Sequence, residues 1–76
     1  MKGLLEFLTK ALVEDPEAVQ VEELEEDGDL VFEITVADED LGRVIGKGGR
    51  VANAIRSVAK AAAVRIDRRV IVDILD

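Results

Sequence analysis

Gly42-Arg43-Val44-Ile45-Gly46-Lys47-Gly48-Gly49-Arg50 is the stretch that decides the reading of this chain. Two aliphatics run into a Gly-x-x-Gly, and a helix-like run follows directly behind it. Three glycines within four positions free the backbone for positive φ and for close approach of another backbone. The helix behind the loop would turn free N–H groups and its positive dipole end toward it. Lys47 and Arg50 add full charges, so the loop suits a phosphate group held mainly by main chain.

Two other glycine-rich loops fail on spacing. A nucleotide-binding P-loop needs four residues before its Gly-Lys pair and a Ser or Thr after it. Gly42 to Gly46 encloses three, and Lys47 is followed by Gly48. The dinucleotide fingerprint would need glycine at position 51, which is Val51. The plain alternative is a helix-to-helix connection with glycine caps.

Outward from the loop, charge divides the chain. The net charge of −7 argues against a polyanionic partner, but the average conceals a gradient. Residues 1–40 carry 2 basic and 14 acidic side chains, whereas residues 41–76 carry 8 basic and 3 acidic. The loop lies in the basic half, and such asymmetry is informative where the mean is not. Seventy-six residues allow one domain, spanning 1–76, with 49% hydrophobic residues to build its core. Without Cys or His the chain lacks disulfides, the usual zinc ligands and the commonest general base. An enzyme is the least favoured class. No apolar run has the length of a membrane span, and the start reads as an amphipathic segment, so a cytoplasmic location with no membrane partner is expected.

Leu4, Leu5, Leu8, Ala11 and Leu12 recur at helical spacing and predict a helix ending before Pro16. Val19 and Val21 begin an edge strand that continues into the acidic run Glu22–Glu26, and Asp27-Gly28 is a hairpin-turn pair. The acidic cluster from Glu22 to Asp29 reads as a solvated turn in preference to a metal site. Leu30, Phe32, Ile34 and Val36 alternate along the clearest strand. Asp38 reads as an N-cap, with Glu39 and Asp40 in the first turn of a short helix carrying Leu41, Val44 and Ile45. A longer helix from about Gly49 to Ala63 carries the stripe Val51, Ile55, Val58 and Ala62, expected to be buried. Arg50, Asn53, Ser57 and Lys60 lie on another face of it. Its alanines raise helix propensity and offer a flat surface for close approach, expected to support a weak homodimer. Val70, Val72 and Ile74 alternate along a last strand, parallel to the preceding one across the helical crossover.

Helix, strand, strand, helix, Gly-x-x-Gly, helix, strand resembles a type II KH domain. The aliphatic pair Val44-Ile45, the glycines Gly46 and Gly49, and Val51 with Ile55 beyond them carry the family's signature. The chain is most similar to the small bacterial single-KH RNA-binding proteins of the KhpA type. The resemblance covers nearly the whole chain. It implies an α+β fold of order αββααβ, with a three-stranded mixed sheet and three helices packed on one face. It also implies non-catalytic binding of single-stranded RNA, the loop clamping about four nucleotides. The implied site residues are Arg43, Val44, Ile45, Gly46, Lys47, Gly48, Gly49, Arg50, Val51 and Asn53. Among them Val44, Ile45 and Val51 would shape the apolar groove for bases. No cofactor is implied. Members of this kind also pair, as a homodimer or a heterodimer with a second KH-containing protein. With only Phe7 and Phe32, both expected inside, aromatic stacking of bases is not expected, so binding should be of low specificity, as in an RNA chaperone. The rival reading is a protein-interaction module working through the helix surface or the open sheet face (Val31, Thr35, Ile71).

Overall fold

The computed structural model describes residues 1–76. It is built from α1 (Lys2–Leu12), β1 (Gln20–Glu26), β2 (Asp29–Thr35), α2 (Leu41–Ile45), α3 (Arg50–Ala63) and β3 (Val70–Ile74). Short 3-10 turns fill Pro16–Ala18, Asp38–Asp40, Lys47–Gly49 and Val64–Ile66. The fold is α+β, with the three helices on one face of a three-stranded mixed sheet of order β1-β2-β3.

Asp27-Gly28 sets the first register. Both residues take positive φ (51° and 85°), as a two-residue turn of the I′ kind requires, and Glu26 lies opposite Asp29. The antiparallel ladder then runs to Gln20 opposite Thr35. β3 pairs with β2 in parallel, from Leu30 opposite Val70 to Ile34 opposite Ile74. A parallel neighbour needs a long crossover, and the whole α2–loop–α3 segment is that crossover. The Gly-x-x-Gly therefore lies in the connection between the two parallel strands.

The core lies between helices and sheet. Leu5 from α1, Phe32 and Ile34 from β2, and Val44 from α2 have no exposed surface. Val21, Val70 and Val72 close the sheet side. Burying such side chains contributes about 1.5–3 kcal/mol each relative to exposure. Thr9 joins this core because its hydroxyl donates to the Leu5 carbonyl one turn back, at 2.7 Å.

Three expectations need correction. The buried stripe of α3 is Ala52, Ile55, Ala59 and Ala63, not Val51, Ile55, Val58 and Ala62. The helix is rotated so that alanines meet the sheet, which lets it pack closely over the Phe32 and Val72 row. Val51 is only partly covered and Val58 is 40% exposed. Ala52, Ala59 and Ala63 are thus occupied by the sheet, while Ala54 and Ala61 stay exposed. Asp38 makes no side-chain cap, and Asp38–Asp40 form a 3-10 turn ahead of α2. Phe7, also expected inside, is 70% exposed.

The opposite sheet face is largely acidic. Glu22, Glu33 and Asp73 stand side by side across β1, β2 and β3. Next to them Leu24, Val31 and Ile71 form a small apolar row, and Val31 is 6% exposed although no helix covers that side.

Candidate nucleic-acid interface

The loop geometry begins at Gly46, with φ 76° and ψ 168°, a combination open to glycine. A Cβ there would stand 2.5 Å from Val51 Cγ2 and 2.8 Å from the Val51 nitrogen. Glycine is required by conformation and by space together. Gly48 (φ 65°) and Gly49 (φ 80°) also take positive φ, but a Cβ at Gly48 would meet nothing within 4 Å. Lys47 and Gly48 form the exposed tip.

The loop is tied internally. Gly46 N–H donates to the Gly42 carbonyl at 2.9 Å, and Gly49 N–H to Gly46 at 3.1 Å. Arg50 N–H donates to the Lys47 carbonyl. The last two donors are among those that would otherwise point freely at a ligand. The 3-10 turn engages them, making the loop stiff and leaving more of any anion attraction to Lys47, Arg50 and the dipole of α3.

The other expected site residues are dispersed around this tip. Val44 is fully enclosed and supports the loop from within, so it has no surface to offer a base. Ile45 is half-buried. Val51 and Arg50 lie toward α1, where they line an apolar groove with Leu8, Leu12, Ala54 and Val58. Asn53 is exposed on the other flank of α3.

Arg43 is engaged with acidic partners. Its Nη2 is 2.8 Å from Glu14 Oε1, and its Nε is 3.4 Å from Asp40 Oδ1. Asp40 is 1% exposed, and it accepts the Glu14 N–H at 3.1 Å and the Asp15 N–H at 3.0 Å. This carboxylate clasps the chain leaving α1 to the start of α2, and so holds the helix that leads into the loop.

The largest concavity contains none of the site residues that the resemblance implied. It lies between the second half of α3 and β3, about 670 Å³ in volume. Arg56, Lys60, Arg68 and Arg69 make it basic against the single carboxylate of Asp67, and Ala63, Val64 and Val70–Val72 complete its lining. Arg56 crosses it: Nε donates to the Val72 carbonyl at 3.2 Å, and Nη1 to Asn53 Oδ1 at 3.2 Å. Arg68 is partly committed elsewhere, to Glu25 Oε1 at 2.6 Å and the Gly28 carbonyl at 3.1 Å. The signal was available in sequence as Arg56 and Lys60 four apart on α3, on one helix face. What sequence could not supply was the β3 wall opposite them.

α3 links loop and groove, beginning at Arg50 behind the loop and carrying Arg56 and Lys60 into the groove. A family model described as "KhpA/KhpB, KH domain" matches residues 2–74. The chain belongs to that family. Among its relatives, the RNA-binding protein KhpA of Clostridium acetobutylicum is 52% identical over 75 residues, covering 99% of this chain and 100% of that one. The protein of the same description in Caldanaerobacter subterraneus is 48% identical over 75 residues, with the same coverage of both chains. That of Listeria monocytogenes is 38% identical over 76 residues, all of both chains. KH proteins of this family are generally non-catalytic. No helix here is long and apolar enough to cross a membrane.

Proposed function

We propose that the protein binds single-stranded RNA without catalysis, as a low-specificity RNA-binding protein or chaperone of a bacterial cytoplasm. The observation that carries this reading is the Gly46–Arg50 loop. It is locked against Val51, exposes Lys47 and Gly48 at its tip, and opens along α3 into the basic α3–β3 groove. Phosphates meet Lys47 and Arg50 at the loop. The bases run past Ile45 and Asn53 into the groove, with Arg56, Lys60 and Arg69 alongside. The acidic sheet face repels the same strand and restricts it to one side.

Replacing Lys47 and Gly48 together by Asp tests the site. Two carboxylates then face the phosphates. Asp at position 48 tolerates positive φ better than most residues, and nothing lies within 4 Å of its Cβ. Filter binding with short single-stranded RNAs at two salt concentrations should show binding lost while circular dichroism stays native. A folded double mutant that binds as tightly as the parent would remove the loop from the assignment.

Self-association is the second part of the reading, carried by the apolar groove between α1 and α3. Leu4 and Leu12 are 38% exposed beside it, with Val58 at 40% and Phe7 at 70%. A polyanion cannot cover such a surface. Arg50 is the one charged residue lining it, so a second copy related by a two-fold axis can match it patch to patch. The groove borders the flank of α3 opposite Arg56, so pairing there leaves Lys47 and the α3–β3 groove open and sets Arg50 at the boundary between the two surfaces. Sedimentation of Val58→Glu against the parent tests it: the parent should dimerise at tens of micromolar and the variant should not. A parent that remains monomeric there would discard the dimer and leave the RNA reading intact.

A further inference from the structure

The sheet face that carries no helix has an ordered pattern of its own. Alternation along the strands puts Glu22, Glu33 and Asp73 in one row across β1, β2 and β3, and Leu24, Val31 and Ile71 in the next. Glu26 and Asp29 form a further row beyond the apolar one. Rows two residues apart on a strand stand about 7 Å from one another, and the outer strands about 10 Å apart. An apolar strip is thus edged on both sides by carboxylates.

None of these carboxylates is paired with a cation. The ion pairs of the molecule use Glu14, Asp40 and Glu25, with Arg43 and Arg68 as their cations. Two further cations stand at the margins of the face. Lys2 borders Glu22 and Glu33 across a shallow concavity, and Arg69 lines the groove beside β3, but neither forms an ion pair. Like charges directly opposite one another across strands are destabilising. Solubility needs charge only somewhere on the surface, whereas this row sets it where repulsion is greatest and beside apolar side chains. Leu24 and Ile71 are half-buried with no element over them, and Val31 between them is 6% exposed.

The pattern excludes most occupants. RNA and an anionic membrane both meet these carboxylates at like charge. A second copy laid face to face sets acidic rows against acidic rows. What fits is the complementary pattern, an apolar stripe edged on both sides by Lys or Arg. A helix presents it when apolar residues recur at i, i+3, i+4 and i+7 with basic residues flanking them. Two turns of such a helix span about 11 Å, close to the width of the three strands. We infer that the open sheet face docks a short basic amphipathic helix of a partner protein. Its apolar stripe covers Leu24, Val31 and Ile71. Its flanking cations meet Glu22, Glu33 and Asp73 on one side, and Glu26 and Asp29 on the other. Docking there is independent of the RNA reading, because loop and α3 lie on the opposite side of the sheet. The strip is small, so the contact is of the weak, transient kind.

The test uses the whole protein and two fluorescein-labelled peptides of identical composition. KLKKLLKKLKKL gathers its leucines on one helical face, and LKLKKLKKLKLK scatters them around the helix. Fluorescence anisotropy should place the first roughly fivefold or more tighter than the second, the effect of burying one or two further methylenes. Glu22→Gln combined with Glu33→Gln should weaken the first peptide by about threefold or more, from two lost surface charge pairs. Leu24→Thr should weaken it by about fivefold or more, from lost apolar contact. Circular dichroism should stay native in both, since Gln relieves the repulsion and Thr favours a strand. Equal binding of the two peptides overturns the inference, because bulk charge then accounts for the attraction. Binding that either variant leaves unchanged also overturns it, by placing the peptide elsewhere, and so does no binding at all. A folded Leu24→Thr protein that loses self-association or RNA binding gives the face to a second copy or to RNA, and overturns it too.

Discussion

Gly46→Ala should cost this domain a large part of its stability, and the reason can be separated into two contributions. The first is conformational: φ 76° with ψ 168° lies in a region for which non-glycine residues incur about 1–3 kcal/mol. The second is steric. The added methyl would sit 2.5 Å from Val51 Cγ2 and 2.8 Å from the Val51 nitrogen. The methyl can rotate away, but the nitrogen belongs to the first turn of α3, so relief requires shifting that helix, at about 1–3 kcal/mol for overpacking. Together these give roughly 2–6 kcal/mol. A domain of this length has a total of roughly 4–11 kcal/mol, by the usual 0.05–0.15 kcal/mol per residue. Two internal controls calibrate the number. Gly48→Ala shares the positive φ but has open space around it, and should cost about 1–2 kcal/mol. Gly42→Ala lies inside α2 with no positive φ and nothing within 4 Å, and should stabilise by about 0.5–1 kcal/mol. Urea unfolding followed by circular dichroism should give the order Gly42→Ala, parent, Gly48→Ala, Gly46→Ala, from most to least stable. If Gly46→Ala proves no less stable than Gly48→Ala, the close approach to Val51 is not a constraint and the reasoning fails.

Three further outcomes follow from features of the same structure. Asp40→Ala strands the Glu14 and Asp15 N–H groups and should lower stability by about 2–4 kcal/mol in the same urea assay, whereas loss of under about 0.5 kcal/mol would mean that water replaces the carboxylate freely. Glu33→Lys places a cation between Glu22 and Asp73 and should stabilise by about 0.2–1 kcal/mol; the gain should shrink in high salt, and a salt-independent change would point to packing instead. If RNA meets only the basic side, about two to four phosphates are neutralised, so log affinity should fall with log salt at a slope of roughly −1.5 to −3. Arg50→Ala should flatten that slope by about 0.7, and a steeper parent slope would mean a larger footprint than the loop and groove provide.

The element order and the loop were legible because local rules sufficed for them. Asp27-Gly28 specifies its turn, alternation specifies β2, and three glycines at fixed spacing specify a loop whose entry, at Gly46, only glycine fits. The rotation of α3 was not legible. Hydrophobicity ranks Val51 and Val58 above Ala52 and Ala59, yet close packing of a helix on a sheet favours the smaller side chains, so the ranking inverted the face. Long-range pairings were equally hidden. Arg43 meets Glu14 across 29 positions and Arg68 meets Glu25 across 43, and nothing near either arginine announces its partner. This matters for the site, because charges that looked available in sequence are committed at Arg43 and shared at Arg68, while Arg56, unremarked in sequence, spans the groove.

The parallel pairing of β2 with β3 has a temporal consequence. Everything that would hold RNA is enclosed in the connection between those two strands, and that connection closes only when Val70–Ile74 docks. During synthesis the hairpin of β1 and β2 is complete first, and α1 can already rest on it, while the loop and α3 wait for a strand made after them. Until then Phe32 and Ile34 lack their β3 neighbours, and the groove has one wall. During synthesis the interface can therefore close only after Val70–Ile74 has emerged to pair with β2.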